Sequence, residues 1–292
     1  MISIPNYLDK LDNNVAICNV SDILKECHNK HGLNQKAAAK ILRVSSNCYS
    51  YSLNNKSCRI SFLRKFRDKF DQNLFSKIYE KENIVCTARS KIVKLPKFID
   101  ANLAYYFGYL QGDGCLTSDK KGLSFVDEYL EQINKIGLLS DSMFGFQGKT
   151  YEKKTKISVK PYYEIQIKSV VLNSFFYNVF GINRGKKNNL KIPGLIRQDK
   201  DLCRYYLAGL FDADGTLPKT PEKAKMLFID LTMKDREFIQ SIRQLISEFG
   251  IETLKIYSHF MKLRHLNFKT LSGIYRVNMA CYRINMNILV IF

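Results

Sequence analysis

Apolar and polar positions divide the chain into three regimes. Over residues 20–70 short helical patterns alternate with polar breaks. Residues 86–99 are basic, contain Pro96 and lack a helical period, which predicts a linker. From about residue 100 the chain nearly repeats itself. Tyr106-Phe-Gly-Tyr-Leu-Gln-Gly-Asp-Gly114 compares with Leu207-Ala-Gly-Leu-Phe-Asp-Ala-Asp-Gly215, and each is led by an aromatic helical stretch, Leu103–Tyr106 and Cys203–Tyr206. A β segment follows each motif, and then an amphipathic helix running to Gly145 or Gly250, where glycine suits a helix C-cap. The motif aspartates precede those glycines by 32 and 36 residues. An alternating strand comes next in each half, Tyr163–Ser169 and Tyr275–Cys281, with one apolar and one polar face.

Composition narrows the function. The net charge is +19, and it is spread: 17 basic against 8 acidic residues in 1–95, 15 against 10 in 96–199, 14 against 9 in 200–292. A basic balance over the whole length fits distributed phosphates, hence nucleic acid. No apolar run is long enough to span a bilayer, and the start lacks a basic-then-apolar export pattern. The eight cysteines form no CxxC pair, so they read as reduced thiols of an intracellular, unsecreted protein, in cytoplasm, nucleoid or organelle. Cys27 and His31 have the spacing of half a zinc site, and no second half is visible.

Gly108 and Gly209 remove side chains, so the two motif helices can pack backbone to backbone, and Gly114 and Gly215 end them. Asp113 and Asp214 would then meet at the foot of the pair. Neighbouring carboxylates repel, and divalent cations stabilise their charged forms; oxygen ligands suit Mg²⁺, with Mn²⁺ as a substitute.

At these residues the chain resembles the LAGLIDADG homing endonucleases, over about residues 100–285. The second motif departs from the signature only at Phe211; the first keeps Gly108, Asp113 and Gly114. The resemblance implies that Asp113 and Asp214 bind metal, helped by the main-chain carbonyls of Gly112 and Ala213. It also implies that the earlier acidic position, Gln111 here in the first copy, is no metal ligand. The Lys191-Ile-Pro-Gly block resembles a segment the family places between its motifs, implying that Lys191 polarises water or phosphate; Lys186 and Lys187 are alternatives. Tyr163 precedes Lys191 by 28 residues, and the same step from Tyr275 passes Phe292. The second half therefore reads as shortened: either Lys262 or Lys269 substitutes or the second active site is incomplete, which predicts faster cutting of one strand, even a nick.

Leu33 to Leu53 reads as helix, tight turn, helix, with Asn34 and either Ser45 or Ser46 as caps. Residues 34–70 carry nine basic side chains against Asp68 alone. This resembles a phage-repressor-like helix-turn-helix, except that Arg43 stands where glycine is usual. It would offer Ser46, Asn47, Tyr49 and Ser50 to base edges, with Arg43, Lys56 and Arg59 near phosphates; a plain helical packing domain is the alternative.

The expected fold class is α+β: a pseudo-two-fold pair of αββαββα repeats with antiparallel saddle sheets, after a small all-α helix-turn-helix domain. The domains would be 1–85, a linker 86–99, and repeats 100–199 and 200–292. What the resemblance implies is a monomeric Mg²⁺-dependent endonuclease for a long, asymmetric duplex DNA site, leaving short 3′ overhangs, as in intron homing. Gln166, Lys168, Arg276 and Asn278 would meet DNA. The alternatives are a catalytically impaired DNA-binding regulator, a nickase, or a maturase for intron RNA.

Overall fold

The computed structural model describes residues 1–88, 91–154, 160–216, 228–253, 256–260 and 273–280. Its architecture is the expected α+β one, and the repeat seen in the sequence is a repeat of structure. In the first half, helix Ala101–Gly112 leads into strands Gly114–Leu116 and Leu123–Asp127. Helix Leu130–Phe144, strands Lys149–Lys153 and Tyr162–Ile167, and helix Val170–Phe180 complete the αββαββα order. The second half gives helix Lys200–Asp214, strands Gly215–Thr216 and Phe228–Met233, helix Arg236–Ser247, and strands Tyr257–Phe260 and Gly273–Ala280. Both sheets are antiparallel and four-stranded, with the same order of strands by their rank in each repeat: first, second, fourth, third. Residues 281–292, with the expected shortening, and Lys262 and Lys269 lie outside the described residues.

The alternation of the first-repeat strands sets which side is covered. Ile165 pairs with Phe125 and Ile167 with Leu123, and all four are buried under the helices. On the opposite face Gln166 pairs with Lys149, Glu164 with Tyr151 and Tyr162 with Lys153, a polar surface with lysines along one edge. Gly145 ends helix Leu130–Phe144 with φ 65°, and Gly250 follows helix Arg236–Ser247 with φ 75°, the left-handed conformation that glycine adopts without a Cβ clash.

Before the repeats, the described residues form five α-helices, Ser21–Lys30, Gln35–Leu42, Ser46–Asn54, Ile60–Phe70 and Leu74–Tyr79. They are accompanied by a four-stranded antiparallel sheet ordered Ser57–Arg59, Ala16–Cys18, Ile84–Ala88, Lys91–Leu95. The all-α expectation for this segment missed that sheet, and the linker expected at 86–99 is corrected. Most of that stretch is a hairpin, Ile84 opposite Leu95 and Cys86 opposite Val93, all four buried; Phe98 and Ile99 pair with Ser3 and Ile2. Two strands of five residues each give too short an alternation to stand out between lysines.

The segment is docked, not tethered. One continuous set of packed apolar side chains runs from Ile4 through both repeats to Ile246. Across the junction the Tyr7 ring meets that of Phe175 edge-on at 5.1 Å. Among the described residues no helix is long and apolar enough to cross a membrane.

Candidate active site

The two motif helices approach as closely as backbones permit. A methyl placed on Gly108 would lie 1.9 Å from the Tyr206 carbonyl oxygen, and one on Gly209 would lie 2.0 Å from that of Tyr105. Only glycine fits at this crossing. The same packing brings the helix ends together: a methyl on Gly112 would sit 2.4 Å from Ala213 Cβ and 3.4 Å from Asp214 Oδ2. Asp113 is the C-cap of the first helix and Asp214 the last residue of the second.

Electrostatics follow from that meeting. Burial, then the charge of Asp214, push the Asp113 carboxyl up to about 7, against the pull of Lys187. Burial likewise raises Asp214, with Lys187 again opposing. Burial lowers the Lys187 ammonium, while both aspartates hold it up. Lys187 donates to the carbonyl oxygen of Gly112. The pair is thus half-buried and mutually repulsive, with one ammonium nearby. Two carboxylates and main-chain carbonyls form a hard oxygen donor set, and it fits Mg²⁺ or Mn²⁺.

This corrects the choice of lysine. Lys191 is exposed, and its contact with the site is through its backbone, whose carbonyl accepts from Gln111 Nε2 at 2.8 Å. Lys187, the alternative, lies beside the pair: it bonds the Gly112 carbonyl, and both acids act on its charge. Both sit in a loop without periodicity, where spacing carries no directional information.

A further pair repeats at the 101-residue spacing of Asp113 and Asp214. Tyr206 donates to Gln111 Oε1, and Tyr105 donates to Asp212 Oδ2 at 2.6 Å, so each helix reaches across to the other. Lys135 adds an ion pair to Asp212 at 3.3 Å. Asp127, also beside Asp113, accepts from Tyr109. The aromatic stretches before each motif were the signal for these tyrosines; their role as donors was not read.

Gln166 is half-buried and donates to Glu164 at 2.9 Å, and Lys168 lies exposed just past its strand. Arg276 and Asn278 lie in the second sheet opposite Thr232 and Asp230. In the N-terminal segment Asn34 caps helix Gln35–Leu42 and Ser45 caps helix Ser46–Asn54, while Arg43 turns the chain between them with φ 53°. A left-handed arginine therefore does what glycine does there at lower cost. Arg43, Ser46, Asn47, Lys56 and Arg59 are exposed and Ser50 is partly so. Tyr49 is not a surface residue: it is fully buried, its hydroxyl bonded to His28 Nδ1 at 2.9 Å and its ring packed near Phe62 and Phe66. It is corrected from DNA contact to core. Cys27 donates its thiol to Asp71 at 3.0 Å, and the His31 ring bonds the Phe70 carbonyl at 2.8 Å.

Residues 201–278 match the LAGLIDADG-like domain family. Two curated relatives come from Methanocaldococcus jannaschii. A glutamine–fructose-6-phosphate aminotransferase is 28% identical over 78% of this chain and 20% of its own length. A probable translation initiation factor IF-2 is 26% identical over 59% of this chain and 14% of its own. The chain thus spans a fifth or less of the curated relatives it matches. Among solved structures, the homing endonuclease I-DmoI with DNA and Mn overlaps 61% of this chain and 89% of its own, at 17% identity and TM-score 0.39. The N-terminal LAGLIDADG domain of DUF199/WhiA overlaps 66% and 80%, at 14% identity and TM-score 0.42.

Proposed function

We propose that this protein is a divalent-metal-dependent endonuclease that cuts duplex DNA, using Asp113 from one repeat and Asp214 from the other. The observation that carries the reading is the burial of both acids side by side at the foot of a helix pair held together by Gly108 and Gly209. A purely structural helix crossing gains nothing from two facing acids, because desolvating like charges costs stability.

Asp113 and Asp214, with the carbonyls of Gly112 and Ala213, would hold Mg²⁺ or Mn²⁺. The bound metal would lower the pKa of water and neutralise phosphate charge. Lys187, its ammonium lowered by burial beside both acids, would hold a water or a phosphate oxygen and take or give a proton. The polar sheet faces, with Gln166, Lys168, Arg276 and Asn278, would line the DNA major groove. The N-terminal segment would add phosphate contacts from Arg43, Lys56 and Arg59 and base contacts from Ser46 and Asn47. By the resemblance to LAGLIDADG homing endonucleases, the protein would act as a monomer on an asymmetric target and leave short 3′ overhangs.

The named jobs of the two curated relatives, aminotransfer and translation initiation, share no chemistry. This chain matches a minor part of each, which supports a self-standing module and not either named activity. A DNA-binding regulator without cutting is the second reading, favoured by one observation: the Gly112 carbonyl already takes the Lys187 ammonium.

The deciding experiment incubates the protein with a randomised duplex library and Mg²⁺ and sequences the ends. Wild type should yield a consensus cut site, and Asp113→Asn with Asp214→Asn should lose about 10⁴-fold in end formation, as when a concerted set of groups is removed. Ends from the double variant at wild-type levels would overturn the nuclease assignment.

A further inference from the structure

Lys187 belongs to the loop that follows helix Val170–Phe180, and the backbone of that loop is held by few groups. Gly185 donates its N–H to the Leu116 carbonyl at 2.7 Å, three residues after Asp113 in the chain. Gln111 grips the far end through the Lys191 carbonyl. The near end is gripped by Arg184. Its guanidinium lies 3.9 Å over the Tyr177 ring, Nε donates to Asn173 Oδ1 at 2.6 Å, and Nη2 donates to Asp12 Oδ2 at 2.9 Å. Asn173 is fully buried and spends its amide on the carbonyls of Gly122 and Thr117, at 2.8 and 3.2 Å.

Asp12 is the one partner in this set that comes from the N-terminal segment. It is itself fixed: its N–H donates to Ser174 Oγ at 2.7 Å, and its other carboxylate oxygen accepts from Asn178 at 3.1 Å. The ion pair is largely desolvated, with side-chain exposures of 11% for Arg184 and 28% for Asp12. Removing the acid would strand a guanidinium end in poor solvent, which is costlier than losing a surface pair.

We infer that Asp12 is a positioning residue for the hydrolysis: by holding Arg184, the N-terminal segment sets where Lys187 stands over the aspartate pair. The segment is then part of the frame of the active site as well as an anchor on DNA. The inference rests on the nuclease reading for its catalytic half.

The test uses the full chain in three forms: wild type, Asp12→Ala and Asp9→Ala. Asp9 pairs with Arg64 and Arg67 inside the N-terminal segment and reports general loosening of it. Hydrogen exchange at the Gly185 amide is measured without DNA, and kcat and KM are measured with Mg²⁺ on a duplex recovered from the library. Asp12→Ala should speed Gly185 exchange by about tenfold and cut kcat by about 10–100-fold with KM within about threefold, the effect of a catalytic group displaced by an ångström. Asp12→Glu should recover part of kcat, and Asp9→Ala should leave kcat and Gly185 exchange unchanged while lowering Tm. Unchanged Gly185 exchange in Asp12→Ala, or equal kcat losses in the two alanine variants, overturns the inference while leaving the nuclease reading intact. A wild-type chain that cuts no duplex sinks the nuclease reading and the catalytic half together.

Discussion

At the foot of the first motif helix, Gln111 takes the Tyr206 hydroxyl and passes a hydrogen bond to the Lys191 carbonyl. At the matching place on the second helix, Asp212 takes the Tyr105 hydroxyl and meets the Lys135 ammonium. The two sites differ by their third partner. A carbonyl needs a donor, so the first copy carries an amide; an ammonium needs an acceptor, so the second carries a carboxylate. Gln111 is buried, where an unpaired charge would be costly, whereas Asp212 is partly exposed. The amide at this place in the first motif is thus explained by a neighbour, with no reference to catalysis. The same contrast extends to the aspartate pair, where the described ammonium, Lys187, comes from the first repeat and acts on both acids.

The sharpest way to break that contrast is at the lysines. Lys187→Met should slow end formation by about 10²–10³-fold, within the range for a lost proton-transfer group, and on both strands. Lys191→Ala should change the rate less than about threefold, because its backbone carbonyl remains for Gln111. Single-turnover assays that follow each strand separately decide it, and equal losses in the two variants would restore Lys191.

A second, smaller effect concerns stability and pH in metal-free protein. Asp113 titrates near 4 when unfolded and at about 7 when folded. Between these values the folded chain binds more protons at this site, so the contribution of Asp113 is full below about pH 4 and is lost as pH rises toward 7. The melting temperature should drop by roughly 5–10 °C across that window. Asp113→Asn should flatten the profile. A Tm that rises from pH 4 to 7 in wild type, with no change in the variant, would contradict the buried acid pair.

The smallest effect separates Gln111 from Asp212 directly. Gln111→Glu loses the donor to Lys191 and buries a charge, for a cost of about 1–3 kcal/mol. Asp212→Asn keeps an acceptor for Tyr105 and weakens a half-exposed ion pair, for about 0.5 kcal/mol. Denaturant midpoints compare the two; equal costs would mean that the third partners do not decide the residue type.

Much of this was legible in the chain. The repeat, Gly145 as a helix end, Gly250 just past another, and Asn34 as a cap are local patterns. The structure repeats them because local hydrogen bonding and burial period dictate them. The close helix crossing was also readable from Gly108 and Gly209, and with it the meeting of Asp113 and Asp214. The hairpin within residues 84–95 was not readable, since two five-residue strands earn their conformation from partners such as Ala16 and Ile17. Tyr49 was misplaced because polarity at its tip says nothing about which helix face the packing against Phe62 and Phe66 will bury.

By itself the sequence determined the α+β class, the two-fold repeat, the basic surface and the two acids that converge. The tertiary structure decided that Lys187 and not Lys191 faces those acids, that Gln111 answers a carbonyl, and that Asp12 holds the loop through Arg184. The physical reason is range. Periodicity reports what a residue's near neighbours bury, whereas a loop side chain is aimed by partners far away in the chain, and Asp12 and Arg184 are 172 residues apart.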